Sequence, residues 1–114
     1  MLNESARLDL AFQALADPTR RGMLARLSRG PASVSELARP FRISLPAVMQ
    51  HLQQLEASGL VRSEKKGRVR TCSLDPNALA EAEGWIARQR AEWAARLDRF
   101  DEYVMRLKEG DGHA

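Results

Sequence analysis

Apolar residues near the start of the chain recur at the spacing of a helix. Leu8 and Phe12 belong to a stripe that predicts a first amphipathic helix over residues 7–16. Asp17 then supplies an N-cap and Pro18 the first helical position, where the missing N–H of proline costs nothing. The pattern therefore predicts two consecutive helices, the second ending before the next Gly-Pro pair.

Two further short helices are predicted next, joined by a tight turn. Ser33 and Glu36 have the spacing of a capping box, which opens a short third helix. Ser44 is placed to cap a fourth helix that runs to about Ser58. Two short helices joined by such a turn are typical of a helix-turn-helix, which we assign to residues 33–58.

An extended segment follows the fourth helix. Leu60 and Val61 begin it, Gly67 interrupts it, and residues 69–74 resume it with alternating character, which predicts a two-stranded hairpin over residues 60–74. A hairpin directly after a helix-turn-helix is typical of a winged helix. The expected fold class is therefore mainly α with a two-stranded β-hairpin, a winged helix-turn-helix.

A long helix is predicted for the end of the chain. Asp75 and Pro76 repeat the cap-and-proline arrangement, and residues 76–109 would form a helix of roughly 50 Å. Gly84 lies inside it, so a bend there stays open, and residues 110–114 are expected to form a flexible tail. Apolar residues follow coiled-coil-like steps of four and three: Trp93, Leu97, Phe100, Val104 and Leu107. Such a stripe needs a partner, and the simplest partner is a second copy.

The composition is that of an ordinary globular protein. The 114 residues, 44% hydrophobic and 29% charged, fit a single domain spanning residues 1–114. No apolar stretch approaches the ~20 residues needed to cross a bilayer, and the N-terminus lacks the pattern of a signal peptide. The lone Cys72 cannot form an internal disulfide. These features predict a cytoplasmic protein without membrane association.

Charge is distributed unevenly along the chain. Residues 1–74 contain 12 Lys and Arg against 6 Asp and Glu, whereas residues 75–114 contain 6 against 9. A basic part of this kind favours a polyanionic partner. Chance asymmetry on a solvated surface is the alternative.

The fourth predicted helix offers a face suited to the major groove of DNA. With Val48 and Leu55 placed inward, steps of 100° per residue put Gln50 outward. Glutamine can bond adenine through two hydrogen bonds, so Gln50 is the best candidate for base readout; a merely solvated glutamine is the alternative. Ser44 fits a helix cap or a phosphate contact, and His51 fits a packed residue or a DNA contact. The candidate DNA contacts on this helix are Ser44, Pro46, Ala47, Gln50, His51, Gln53 and Gln54.

The predicted hairpin is strongly basic. Lys65, Lys66, Arg68 and Arg70 lie close together there, and Arg68 and Arg70 are expected on one side of the second strand. Such a cluster suits phosphate contacts or insertion of arginine into a narrow minor groove. A charged edge that blocks sheet aggregation is the alternative, although it does not predict near-uniform sign. Together with the arginines of the second helix, these cations predict salt-dependent DNA binding.

Three stretches resemble the ArsR family of bacterial winged-helix regulators. Residues 14–21, ALADPTRR, are similar to the family's opening, and residues 43–61 to its recognition-helix signature. Lys66-Gly67-Arg68 is similar to its wing turn. The resemblance implies a homodimer built on the first and last helices that binds an inverted-repeat operator in double-stranded DNA, usually as a repressor. The interface residues expected on these helices are Leu8, Phe12, Trp85, Trp93, Leu97, Phe100, Val104 and Leu107.

The chain departs from the family pattern at positions that matter for sensing. Metal sensors of the family carry cysteines in the third helix, or His and acidic ligands on the last helix. Here residues 36–39 read ELAR, and no histidine precedes His113 in the last helix. We therefore expect no metal site and no cofactor, and the residues identify no small-molecule effector. Cys72 stands where tyrosine is frequent, as a packed or a redox-active thiol, and Met49 stands where many members have a small polar residue.

Two other function classes compete with DNA binding. A winged helix can serve as a protein-interaction module, because a fold does not fix a function. Substitution of Gln50 or Arg68 would spare partner binding in that case. An enzyme is disfavoured, and no catalytic residues are assigned, because the sequence shows no nucleophile with its base and no phosphate-binding glycine loop. The leading hypothesis is a sequence-specific DNA-binding regulator.

Overall fold

The computed structural model describes the backbone of residues 3–112 and the side chains of residues 3–110. Its elements are α1 (Glu4–Leu15), α2 (Pro18–Leu27), β1 (Ala32–Ser33), α3 (Val34–Ala38), α4 (Leu45–Ala57), β2 (Val61–Lys66), β3 (Val69–Leu74) and α5 (Pro76–Gly112). This order of helices and hairpin confirms the predicted winged-helix class. The expected single domain divides into two compact units, residues 1–82 and residues 83–114.

Side-chain caps determine where the first two helices begin. Asn3 Oδ1 accepts a hydrogen bond from the Ala6 N–H at 2.8 Å, so α1 starts at residue 4 rather than at the predicted residue 7. Asp17 Oδ2 accepts from the Arg20 N–H at 3.0 Å, and Pro18 occupies the first position of α2 as predicted. In both helices the capping side chain and the N–H that it accepts from are three residues apart in the sequence.

The helix-turn-helix forms where the spacing predicts it. Ser33 Oγ accepts from the Glu36 N–H at 3.1 Å, and the Glu36 carboxylate accepts from the Ser33 N–H at 3.5 Å, which completes the capping box of α3. Ser44 Oγ accepts from the Ala47 N–H at 3.3 Å and caps α4. α4 ends one residue before the predicted Ser58, which is its C-cap.

The wing is a hairpin of β2 and β3 to which a third strand is added. The antiparallel ladder runs from the Val61–Leu74 pair to the Lys66–Val69 pair, as the alternation predicts. β1 pairs with the other edge of β3, which gives the strand order β1-β3-β2. The sequence does not predict β1, because a strand of two residues is too short to show alternation.

A two-residue turn closes the hairpin. Gly67 has a φ of +63°, whereas Arg68 does not have a positive φ. This is the pattern of a type II′ turn, which favours glycine at the first central position. Arg68 therefore lies in the turn, one residue before β3, and not on the second strand as predicted, although it lines the same groove as Arg70.

The core of residues 1–82 is apolar and contains the single cysteine. Val48, Leu52 and Leu55 of α4 are buried, as predicted from their spacing. Cys72 of β3 is fully buried in the same cluster, and burial raises the pKa of its thiol. A buried, protonated thiol packs as a small hydrophobic group, which favours the packed interpretation of Cys72.

The last helix is longer than the sequence predicts. α5 is helical from Pro76 to Gly112 and remains so at Gly84. Residues 110–112 are therefore helical rather than part of the expected tail, and residues 113 and 114 lie outside the described range. Among the helices described, none is long and apolar enough to cross a membrane.

Candidate nucleic-acid interface

The outward face of α4 carries amide side chains and no charge. Gln50, Gln53 and Gln54 are exposed, as is Pro46 in the first turn, whereas Ala47 is half-buried. The opposite face of the helix packs into the core, so these side chains point away from it. The structure thus brings the predicted readout residues together on one exposed surface of a rigid, capped helix.

His51 lies on the flank of α4 and is half-buried. Its Nδ1 is 3.1 Å from Arg20 Nη1 and 3.9 Å from Asp17 Oδ2. A guanidinium only donates hydrogen bonds, so in this contact Nδ1 is the acceptor. The structure therefore gives His51 a packing role, and a DNA contact through Nε2 stays a prediction.

Arg20 has a structural role that the sequence pattern did not predict. The arginines of the second helix were expected to contribute to salt-dependent DNA binding, but Arg20 is only 8% exposed. Its Nε donates to the Ala14 carbonyl and its Nη2 to the Gln13 carbonyl, both at 2.9 Å, while Arg21 Nη1 donates to the Leu15 carbonyl at 2.7 Å. Both arginines thus bond carbonyls at the C-terminus of α1.

A signal for this role is present in the sequence. The last carbonyls of a helix lack intrahelical partners and need donors from elsewhere. The segment between α1 and α2 contains no glycine, the residue that usually forms a C-terminal cap. The arginines at the start of the next helix were therefore candidate donors to these carbonyls.

A three-residue network attaches the wing to α4. Arg70 is half-buried and its Nη1 donates to Ser63 Oγ at 2.9 Å, and Ser63 Oγ in turn donates to the Glu56 carboxylate. Ser63 faces Cys72 across the ladder, whereas Glu56 lies on α4. The sequence pattern did not indicate Ser63 or Glu56, and the DNA contact expected of Arg70 stays a prediction for a side chain whose Nη1 is bonded to Ser63.

The end of the wing carries three exposed cations. Lys65, Lys66 and Arg68 are all exposed, and Lys65 lies directly opposite Arg70 on the neighbouring strand. Like charges directly opposite each other destabilise a sheet. An anionic partner would remove this repulsion between Lys65 and Arg70. A charged edge that only blocks sheet aggregation does not require the charges to have the same sign, so the pairing favours an anionic partner.

Two carboxylates of the helix-turn-helix region serve as caps and titrate below their usual range. The hydrogen bond from the Arg20 N–H lowers the pKa of Asp17, and the hydrogen bond from the Ser33 hydroxyl lowers the pKa of Glu36. Both carboxylates are therefore ionised at neutral pH, and both accept hydrogen bonds from groups within the protein. Within the described residues, no three His, Cys, Asp or Glu side chains form a group able to hold a metal ion.

The predicted dimer stripe of α5 is exposed along the C-terminal unit. Trp93, Leu97 and Phe100 are each more than 60% exposed, and Leu107 is 51% exposed, whereas Val104 is half-buried. The other residues predicted at this interface are half-buried Leu8 and Phe12 on α1, and Trp85, which is 38% exposed. Large apolar side chains exposed in a row on one helix mark an interaction surface.

Comparison with known proteins identifies the family. A family model described as a helix-turn-helix domain matches residues 15–64. The HTH-type transcriptional regulator Rv2034 of Mycobacterium tuberculosis is 50% identical over 72 residues, which cover 63% of this chain and 67% of that protein. A crystal structure of an ArsR family transcriptional regulator is 51% identical with a TM-score of 0.77, covering 82% of this chain and 97% of that chain. The chain belongs to the ArsR family.

A second relative agrees with this assignment. The transcriptional repressor SdpR of Bacillus subtilis is 32% identical over 75 residues, which cover 66% of this chain and 83% of that protein. The ArsR family member described here is therefore a DNA-binding transcriptional regulator and not an enzyme, as the resemblance predicted.

Proposed function

We propose that this ArsR family regulator represses transcription as a homodimer that binds an inverted-repeat operator, without a metal or cofactor. The observation that carries the proposal is the pairing, in residues 1–82, of an uncharged amide face on α4 with three exposed cations at the end of the wing. The first feature suits base edges and the second suits phosphates.

In this proposal α4 lies in the major groove. Gln50 reads adenine through two hydrogen bonds, while Gln53 and Gln54 contact neighbouring bases and Pro46 and Ala47 approach thymine methyl groups. The α4 N-terminus and its Ser44 cap face a phosphate, because helix N-termini favour anions. These roles are supported by exposure of the amides and of the cap residue.

The wing supplies the phosphate contacts. Lys65, Lys66 and Arg68 are exposed and lie at the hairpin end, where the neighbouring minor groove or its phosphates would lie. Arg70 sets the position of the wing through its bond to Ser63 rather than by a direct DNA contact of its own. The proposal thus narrows the predicted wing contacts to the exposed cations.

The second copy is proposed to cover the apolar stripe of α5. Trp93, Leu97, Phe100 and Leu107 follow the steps of a coiled-coil seam, which buries such residues against an identical helix. Two-fold symmetry would place the two α4 helices in successive major grooves, about 34 Å apart.

Metal independence is supported by the set of available donors. The single cysteine is buried in the core, and α3 contains Glu36 as its sole acidic residue, whose carboxylate is engaged in the capping box. Soft and borderline metals need several cysteine or histidine ligands. We also propose a cytoplasmic location, because a regulator must reach the chromosome.

The test is fluorescence anisotropy with duplex DNA from upstream of the protein's own gene. Excess unrelated duplex is present, and titrations are run at two salt concentrations. We expect saturable binding of one dimer per site that survives the competitor and weakens steeply with salt. Binding that the competitor abolishes, or that salt leaves unchanged, would contradict the proposal.

Variants locate the interface. Gln50→Ala should weaken specific binding by about 5- to 150-fold, since a bidentate base contact contributes ~1–3 kcal/mol of discrimination. Arg68→Ala should reduce the salt slope by about one contact per subunit. Arg106→Ala removes the same charge from exposed α5 and serves as the matched control, which should leave the slope unchanged. Repression is then measured as loss of transcript from the bound promoter in vitro.

A further inference from the structure

An apolar groove with a cationic rim lies between the start of α4 and the wing. It has a volume of about 400 Å³, and its lining includes Val34, Leu45, Met49, Lys65, Arg68 and Val69. All of these residues belong to the unit formed by residues 1–82. The groove opens beside the amide face of α4, so a molecule bound to that face would extend into it.

The α4 side of the groove is apolar. Leu45 is 60% exposed, and Met49 follows four residues later, so the two side chains stack along one flank of the helix. Val69, 53% exposed, approaches from the wing. One exposed leucine needs no explanation, but three apolar side chains that converge on one groove beside a candidate DNA-binding face do.

The wing side of the groove is cationic. Lys65 and Arg68 are exposed on this side, and no carboxylate lines the groove. The occupant that complements both sides is therefore an anion that also carries an apolar group. If α4 and the wing occupy neighbouring grooves of one duplex, the strand separating those grooves must pass between them.

We propose that this groove binds a thymidine nucleotide of that strand and reads its methyl group. The C5-methyl of thymine is the apolar feature of the major groove, and it would pack against Leu45 and Met49. The backbone phosphates of the same strand would face Lys65 and Arg68. This inference rests on the proposed DNA binding and adds a preference for thymine at one position of each half-site.

The proposal gives Met49 a specific role. Its thioether offers van der Waals contact in place of a strong hydrogen bond. Leu45 has no hydrogen-bonding group at all. Neither side chain can distinguish bases by donors and acceptors, so shape and the methyl group are what they can read, while Gln50 provides the hydrogen bonds.

The experiment uses the full chain and a duplex selected from a random library by that chain. Each thymine of the selected duplex is replaced in turn by deoxyuridine, which lacks only the C5-methyl, and affinity is measured by anisotropy. We expect a thymine in each half-site whose replacement weakens binding by about fourfold, the effect of removing one buried methyl group, and whose methyl effect depends on Leu45 and Met49. Replacement at thymines that contact neither the groove nor Pro46 and Ala47 should change affinity little.

Variants assign the effect to the groove. Leu45→Ala leaves the core intact, because Leu45 is exposed, and should bind the thymine and uracil duplexes with nearly equal affinity. Met49→Gln should do the same while keeping the length of the side chain. Gln50→Ala is the matched control: it should weaken binding to both duplexes and preserve the fourfold ratio between them.

The outcomes separate this proposal from the one on which it rests. If a duplex is selected but no thymine shows a methyl effect, DNA binding stands and the groove assignment is overturned. The assignment is also overturned if the ratio between thymine and uracil duplexes persists in both Leu45→Ala and Met49→Gln. If no duplex is enriched, the proposed sequence-specific function itself fails.

Discussion

Replacing Arg20 by methionine tests whether its guanidinium stabilises the fold rather than binding DNA. Methionine keeps an unbranched stem that can fill the same space, but it removes the donors to the Ala14 and Gln13 carbonyls and to His51 Nδ1. The carbonyls belong to the last turn of α1, where the Gln13 carbonyl also accepts from the Ala16 N–H at 3.2 Å. The substitution therefore removes the side-chain donors that cap the C-terminus of α1 and leaves the surrounding apolar packing largely unchanged.

The magnitude follows from the number and type of the bonds. Hydrogen bonds to a charged group contribute about 1.5–3 kcal/mol each, which gives an upper limit near 9 kcal/mol for three. Two effects reduce this value. Burying the guanidinium carries a desolvation cost that the variant avoids, and water can reach part of the helix end. We expect the free energy of unfolding to fall by about 2–4 kcal/mol.

The assay is urea unfolding followed by circular dichroism at fixed pH and fixed protein concentration, because the proposed dimerisation would contribute to apparent stability. A loss of this size lowers the urea midpoint by about 1–2 M. Arg21→Met is the matched control, since exposed Arg21 makes a single bond to the Leu15 carbonyl, and it should cost less than about 1 kcal/mol. Arg20→Lys should fall between the two, because a single ammonium cannot reach all three acceptors.

Equal stability of Arg20→Met and Arg21→Met would refute the capping argument. A second measurement addresses the DNA-binding alternative. If Arg20 contacted a phosphate, its substitution would reduce the salt slope of DNA binding by about one contact per subunit. We expect that slope to remain unchanged under conditions in which the variant is folded.

Further predictions concern the stability of the fold at low pH, the reactivity of Cys72 and the proposed dimer. The folded pKa of Asp17 is lowered, so its carboxylate stabilises the fold above its ordinary value of 3.8 and loses that contribution as the pH falls through the folded pKa. Asp17→Asn retains a cap acceptor without titrating, so urea midpoints should decline less below about pH 4 than in the wild type. Burial and the raised pKa of Cys72 predict that iodoacetamide alkylates it at least ~100-fold faster in urea than in the folded state; equal rates would contradict the packed thiol. Leu97→Glu should convert the dimer to monomer in sedimentation experiments, whereas Met105→Glu, equally exposed but off the stripe, should leave the dimer intact.

Short-range interactions account for what could be predicted from sequence. The caps at Asp17, Ser33 and Ser44, and the Gly67 turn, involve residues a few positions apart, so local spacing determined where these elements begin. The buried stripe of α4 follows from helical geometry, which also placed Gln50 on the exposed side. These local rules were sufficient to predict the winged-helix class and the exposed amide face of α4.

The long-range contacts were decided only by the tertiary structure. Arg20 bonds His51, which is 31 positions away along the chain, and sequence spacing gives no information on such a pair. Arg70 likewise differs from Lys65 and Arg68 because folding places it beside Ser63, so one of four similar cations became structural. The groove between Leu45 and Val69 exists only after α4 and the wing have packed on one core, since its walls come from separate elements of the chain.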